Sequence, residues 1–371
     1  MSRRIAIIAE SFLLQVNGVS RSVRMVAEQL TARGHTVGII APGPGPDHHG
    51  PIPVVRLPAV PLPLCRDFPL GIPGPALRRA LTDLAPDVVH LASPALVGAR
   101  GAVIAHDLGL PTVAVYQTDL AGFATQYHLG AAATPLWRYL RRVHAHADRT
   151  LAPSRAAVAD LRANGFTGVH RWGRGVDTDA FAPAHRVRPA TDRVRRVRIG
   201  YVGRLAAEKR LELLRGLIGL PGTELVIVGD GPERARLERR LRGARFTGRL
   251  DAGALSQAYA DLDVFVHPGR HETFCQAAQE ALASGVPVVA AAAGGLLDLV
   301  EPGRNGLLFD PDEPDQLVRA VERLVHDTTG RHRASLAARA DVAPRSWRVV
   351  VDELEAHYDA VRRPQVIRAA A

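Results

Sequence analysis

The chain has 371 residues, 47% hydrophobic and 23% charged, a length that exceeds one ordinary core and predicts two domains. No apolar stretch reaches about 18 residues without a charge or a proline, and Met1-Ser2-Arg3-Arg4 runs into a short apolar segment with no small-residue cleavage site, which argues against a membrane span and against export. The net charge of +10 is scattered arginine with only 5% aromatics, so the stacking platforms of a nucleic-acid binder are missing and an anionic substrate or lipid headgroup is the expected partner.

Short apolar runs alternate with helical stretches, the pattern of an α/β protein with parallel sheets. In the first half strands are expected at Ile5 to Ala9, Thr36 to Ile40, Val88 to Leu91, Thr112 to Tyr116 and Thr150 to Ala152, while Pro42 to Pro75, rich in Pro and Gly, reads as long irregular loops. The pattern then restarts, with strands at Arg198 to Val202, Glu224 to Val228, Arg245 to Thr247, Val264 to His267, Val286 to Ala290 and Gly306 to Phe309. Glycines 34, 109, 165 and 285 each close a helix just before a strand, because glycine takes the left-handed conformation without a Cβ penalty. Arginines 186, 188, 193, 195, 196 and 198 crowd the stretch from Pro183, where apolar periodicity vanishes. This boundary gives a first domain over 1–182 and a second over 195–345. Ser346 to Val361 then carries Trp347, Val350, Val351, Leu354, His357 and Tyr358 at helical spacing, and is expected to pack back on the first domain.

Lys209 is the only lysine in the chain, and it follows Gly203-Arg204-Leu205-Ala206-Ala207-Glu208. Lysine offers a compact ammonium and arginine a planar fork, so Arg204 and Lys209 together read as a phosphate clamp. The plainer alternative is a lysine at the start of a surface helix. Further on, His271 to Glu280 holds two glutamates eight positions apart after the strand Val264 to His267. Glu272 falls in the loop, the amides of Phe274, Cys275 and Gln276 open the next helix as an anion site, and Glu280 sits about one and a half turns in. Carboxylates accept hydrogen bonds, which suits the pair to grip the hydroxyls of a hexose and a ribose. An acidic loop residue plus an ordinary helix glutamate is the plainer reading.

The segment His271 to Glu280 resembles the E-x7-E motif of retaining glycosyltransferase family 4, whose fold is GT-B: two facing Rossmann-like domains with a cleft between them. Gly203-Arg204 with Glu208-Lys209 is similar to the family's diphosphate-binding Arg and Lys, and Val228-Gly229-Asp230-Gly231-Pro232 to its strand-end glycine motif. Asn17-Gly18-Val19 resembles the first glycine loop, and Gly173 to Phe181 the segment closing the N-terminal domain, with Arg174 where Asn is usual. Two segments, 115–123 and 267–276, resemble more narrowly the actinobacterial α-mannosyltransferases that use GDP-mannose and act on phosphatidylinositol or glucuronosyl-diacylglycerol acceptors. Many relatives carry His where Gln117 stands. Gln cannot titrate, so Asp119 becomes the candidate sugar or acceptor contact.

The resemblance implies transfer of a hexose, mannose first among them, from a nucleotide-sugar to a lipid or small-molecule hydroxyl, without a cofactor or metal. Attack on the front face retains the anomeric configuration, with Arg204 and Lys209 stabilising charge on the leaving diphosphate and Glu272 orienting the sugar. Gly18 and Gly203 would let the donor phosphate approach, and base selection would fall near Arg249 and Leu250. The rivals are the same fold with a UDP-, ADP- or dTDP-sugar and a secondary-metabolite acceptor, or a nucleotide-binding scaffold without turnover.

Other signals are discounted. The triplets Asp177-Thr178-Asp179, Asp261-Leu262-Asp263 and Asp310-Pro311-Asp312 sit at element boundaries, where Asp caps turns and helices. Gly229-x-Gly231 lacks the third glycine of a dinucleotide fingerprint, and His144 and His146 do not share a helix face. Cys65 and Cys275 stand outside metal-ligand spacing and fit a reducing cytoplasm. Trp137 to Val143, with Arg138, Arg141 and Arg142, suits either an anionic membrane surface or a solvated helix face over a buried Trp137 and Leu140.

Overall fold

A computed structural model describes residues 2–13, 18–62, 65–92, 94–119, 133–187 and 196–362. Asn17, the 120–123 end of the Val115 segment, and Arg188, Arg193 and Arg195 of the expected boundary lie outside the described residues. The chain separates into two compact units: one holds residues up to 119, 133–173 and 347–362, the other Arg174–Ser346.

The first unit is built on strands β1 (Arg4–Ile8), β2 (Thr36–Pro42), β3 (His48–His49), β4 (Ile52–Leu57), β7 (Val88–Leu91), β8 (Thr112–Val115), β9 (Arg149–Ala152) and β10 (Val169–Arg171), ordered β10-β9-β8-β7-β1-β2-β4-β3. A two-stranded ribbon, β5 (Ala59–Leu62) and β6 (Cys65–Gly71), lies between β4 and β7 in the chain. The sheet is parallel except where β3 meets β4. Strand alternation sends β1 to two cores. Ile5 and Ile7 face one layer with Val23, Val26 and Leu30 of helix Gly18–Ala32, whereas Ala6 and Ile8 face the other with Leu77, Leu81 and Ile104. Helix Trp347–Ala360 buries Trp347, Val350, Val351, Leu354 and Tyr358 in the first of these layers, and the Trp172 indole N–H donates to the Val350 carbonyl at 2.9 Å.

The second unit has six parallel strands, β11 (Val197–Val202), β12 (Thr223–Val228), β13 (Arg245–Gly248), β14 (Val264–His267), β15 (Val288–Ala291) and β16 (Gly306–Phe309), ordered β13-β12-β11-β14-β15-β16 around one core.

Every strand expected from the sequence is present, with ends displaced by at most two residues. The reading of Pro42 to Pro75 as irregular loop is corrected. Ile52–Leu57 pairs with β2 in register Ile39↔Val54, and Ile52, Val54 and Leu57 are buried. Pro53 is accommodated because β4 is bordered on its far side only by the two-residue β3, with Pro53 opposite His48. The strand expected after Gly165 is the three-residue β10, which pairs with β9.

Candidate active site

In the second unit the chain winds outward from β11 through β12 and β13, then returns to the other side of β11 as β14 and continues through β15 and β16. Neighbouring strands whose connections leave in opposite directions open a crevice at their carboxyl ends, the usual ligand position in open α/β sheets. Here that crevice lies between β11 and β14, which pair through Ile199↔Val264 and Gly200↔Phe265. The two loops that end there carry Lys209 and Glu272.

After β11 the backbone turns at Gly203 (φ +154), where a Cβ would stand 2.8 Å from the Tyr201 hydroxyl. That hydroxyl donates to the Arg204 carbonyl at 3.0 Å, tying the loop to its own strand. A 3-10 turn at Ala207–Lys209 follows, and Arg210 leaves it in the left-handed region (φ 51). Lys209 therefore does not open a surface helix, and its side chain is largely buried. After β14, Gly269 passes so close that a Cβ there would lie 3.2 Å from the Glu208 carbonyl and 3.3 Å from the Lys209 Cα. The loops are thus in contact through main chain before any side chain is considered.

The Lys209 ammonium donates to Glu272 Oε1, and His267 Nε2 reaches the same oxygen at 2.9 Å. The Glu272 main chain is fixed from behind by Gly295, whose N–H donates to the Glu272 carbonyl at 2.7 Å. Burial works to raise the Glu272 carboxyl, but the Lys209 ammonium and the His267 N–H outweigh it and hold the group well below its ordinary range. On Lys209 burial works downward and Glu272 overcomes it, so the ammonium is held above its ordinary value. Both partners shift in the sense of a tight ion pair.

Cys275 sits at the mouth of helix Gln276–Ala283 in the left-handed region (φ 76), only 4% exposed, and burial followed by the Glu272 charge pushes its thiol up. The helix start is anchored by side chains from inside it: Gln276 Nε2 donates to the Gly175 carbonyl at 3.1 Å and Gln279 Nε2 to the Arg174 carbonyl at 2.9 Å. Glu280 is buried at 4% exposure. His267, Glu272 and Cys275 place one ligand atom each within 4.8 Å of one another, the one such group among the described residues. The Lys209 ammonium lies beside this group, on the same Glu272 oxygen that His267 reaches.

The chain matches the profile of Glycosyltransferase Family 4 over residues 16–180 and of Glycosyl transferases group 1 over residues 188–341. It is 50% identical to a GDP-mannose-dependent alpha-mannosyltransferase of Mycobacterium tuberculosis, with 99% of each chain covered. It is 48% identical to the protein of the same name from Mycolicibacterium smegmatis, over 99% of this chain and 100% of that one. The chain belongs to glycosyltransferase family 4. Among solved structures it is similar in fold to the sucrose-phosphate synthase of Thermosynechococcus elongatus (TM-score 0.80, 22% identity, 96% of this chain and 98% of that one), so the two units have the GT-B type of Rossmann-like architecture. The protein is a glycosyltransferase.

The other residues singled out in this family 4 glycosyltransferase occupy varied settings. Arg204 and Arg249 are exposed, Leu250 is half-buried against the second core, and Phe274, two positions after Glu272, is buried. Gly229 and Gly231 serve the main chain: a Cβ would stand 1.9 Å from the Gly203 carbonyl in the first case and 2.3 Å from the Leu205 carbonyl in the second. Leu205 N–H donates to Asp230 at 2.9 Å and Glu233 N–H to Leu205 at 3.0 Å, so these glycines fix the loop that carries Arg204. In the first unit Gly18 is exposed at the start of its helix with open space where a Cβ would go. Gln117 is buried just past β8, and Asp119 accepts a 3.2 Å hydrogen bond from Tyr116.

The discounted signals have structural duties. Asp177 caps the turn through the amides of residues 179 and 180, Asp263 accepts from Arg186 and from the Arg198 amide, and Asp310 accepts from the Asp312 amide. Trp137 stacks on Tyr116 at 6.1 Å, while Arg138, Arg141 and Arg142 are exposed. Sequence reasoning missed His267, Tyr201, Gly269 and the Gly294-Gly295 pair. A histidine ending a strand and a glycine pair in a loop are too common to signal a site without the sheet order.

Proposed function

We propose that this glycosyltransferase moves mannose from GDP-mannose to a lipid or small-molecule hydroxyl with retention of anomeric configuration and without a metal. The single observation that carries the reading is the Lys209–Glu272 pair at the crevice between β11 and β14, on a chain 50% identical over nearly its whole length to a protein named for GDP-mannose. An ammonium has three N–H groups, and Glu272 takes one, so Lys209 retains donors for the oxygens of a diphosphate. Arg204, exposed on the adjoining loop, adds a planar fork. As the glycosidic bond breaks, negative charge grows on the departing diphosphate, and fixed cations there lower the barrier by binding the transition state more tightly than the ground state. The leaving diphosphate takes the acceptor proton on the same face, which accounts for retention without a protein nucleophile. Lys209 and His267 both reach Oε1 of Glu272, and the second oxygen is assigned as an acceptor for sugar hydroxyls. The buried Glu280 and the amides opening the helix at Gln276 are assigned to the nucleoside and diphosphate, and Arg249 and Leu250 to the base. Gly18 is assigned to the donor phosphate, and Gln117 and Asp119 to the sugar or the acceptor.

Thermal-shift measurements with GDP, UDP and ADP test the donor: stabilisation by GDP above the others is expected. A donor screen with product mass analysis and anomeric NMR then tests sugar and stereochemistry, and unchanged turnover in EDTA is expected for a metal-independent reaction. Turnover with UDP-sugars alone would replace GDP-mannose with the rival donor class.

A cytoplasmic enzyme with a lipid acceptor meets the inner leaflet, and the exposed Arg138, Arg141 and Arg142 on helix Ala133–His144 match an anionic surface. Among the described residues no helix is long and apolar enough to cross a membrane. Cosedimentation with anionic vesicles at low salt, lost in high salt and with neutral vesicles, is the expected result.

A further inference from the structure

We infer that His267 is a positioning residue that locks the carboxylate of Glu272 in the orientation that meets the donor sugar. The inference rests on the reading of Glu272 as the sugar contact. His267 closes strand β14 with its ring 2% exposed, lying over Tyr201 (centroids 5.8 Å apart, 26° between planes) and over Phe265 (6.4 Å, 12°). Its rotamer is therefore set by packing against β11 and its own strand. A carboxylate only accepts, so the 2.9 Å contact from Nε2 to Glu272 Oε1 fixes the tautomer, with the proton on Nε2. The other nitrogen, Nδ1, is buried and has no hydrogen-bond partner, which fits a bare lone pair and gives a second ring proton no acceptor.

Both the imidazole and the Lys209 ammonium converge on Oε1, and together they define the plane of the carboxylate. The ammonium alone cannot do this. It sits on a flexible four-carbon stem and is required at the diphosphate, so its grip changes through the reaction, whereas the stacked ring does not move. His267 also couples the two loops of the crevice: its ring rests on Tyr201, whose hydroxyl holds the Arg204 carbonyl at 3.0 Å, and its Nε2 holds Glu272. Groups that meet substrate keep their geometry when neighbours fix their rotamers, and His267 is built to be that neighbour.

The test uses the full-length enzyme with three substitutions. His267→Phe keeps the stacked ring and removes the donor, His267→Asn withdraws the donor from reach, and His267→Gln restores an N–H near the position of Nε2. Thermal shifts are read with GDP and with GDP-mannose, alongside kcat and KM for the donor. His267→Phe and His267→Asn are expected to keep the GDP-induced shift, lose the additional shift due to mannose, and fall about 10- to 100-fold in kcat/KM, the worth of one hydrogen bond to a charged group. His267→Gln is expected to stay within about threefold of the parent. His267→Asn carries the test if His267→Phe does not fold. Parental sugar-dependent shifts and kcat/KM in the donor-free variants would overturn the inference, and so would equal impairment of His267→Gln, because packing alone would then explain the loss. A parent enzyme that shifts equally with GDP and GDP-mannose removes the reading of Glu272 and this inference with it.

Discussion

At the scale of single residues, Lys209 and Glu272 are mutually dependent charges in a largely buried place. Removing one leaves the other uncompensated, which costs more than the pair contributes. Lys209→Ala and Glu272→Ala are each expected to lower kcat/KM by orders of magnitude, about 100-fold or more, while the circular dichroism spectrum stays that of the parent, since neither side chain fills core volume. Lys209→Arg is expected to rescue little, because a planar fork does not replace a point charge shared between a carboxylate and a diphosphate. The pH dependence of the pair has two limits. Glu272 is held below its ordinary 4.5, so its contribution to stability is complete above that value and fades as pH falls through the lowered one. Lys209 is held above its ordinary 10.5, so its share is complete below that value and is lost as pH rises past the raised one. Cys275, buried and with its thiol pushed up, is expected to escape iodoacetamide in the native protein and to be labelled in guanidinium, as peptide mapping would read.

At the scale of elements, the site is held by main chain passing close to main chain. Gly229 and Gly295 permit this, and their substitution tests it. An added Cβ would stand 1.9 Å from the Gly203 carbonyl at the first and 2.4 Å from the Phe274 Cα at the second. Gly229→Ala and Gly295→Ala are each expected to destabilise the protein by about 3 kcal/mol or to displace the Arg204 and Glu272 loops, lowering both Tm and turnover. Gly18→Ala is the contrast. Nothing lies within 4 Å of a Cβ there and the backbone is helical, so Tm is expected to hold or rise slightly, and a fall in donor affinity alone would mark that loop as a ligand contact.

For the whole molecule, buried His144 and half-buried His357 contribute to acid sensitivity. Burial lowers His144 to about 4, and burial followed by the charges of Arg149 and His170 lowers His357 to about 4. In the unfolded chain both titrate near their ordinary 6.5, so their contribution to stability is complete above pH 6.5 and is lost as pH falls toward 4. Calorimetry across this window is expected to show a falling Tm, and His144→Gln is expected to flatten the slope. The two units also differ in how the chain closes them. Arg174–Ser346 is continuous with its own core, and expressed alone it is expected to fold and to be stabilised by GDP. The first unit takes Trp347, Val350, Leu354 and Tyr358 from the far end of the chain, and truncation after Ser346 is expected to uncover that layer and cause aggregation.

What the sequence determined by itself was whatever local physics can encode. Apolar runs of three to five residues, several of them preceded by glycine, located the parallel strands, because burial on both faces demands such runs. The isolated Lys209 and the Glu272–Glu280 spacing pointed to the candidate site, because charge type at fixed offsets from a strand end is a sequence property. Pro53 concealed β4 for the converse reason: a proline reads locally as a breaker, and only the two-residue neighbour β3 makes it tolerable. The tertiary structure alone decided that β14 returns to lie beside β11, and with it that Lys209, Glu272 and His267 share one carboxylate oxygen across 63 positions of chain. Sheet order is fixed by which layers bury the most apolar surface together, a sum over the whole unit that no local window contains.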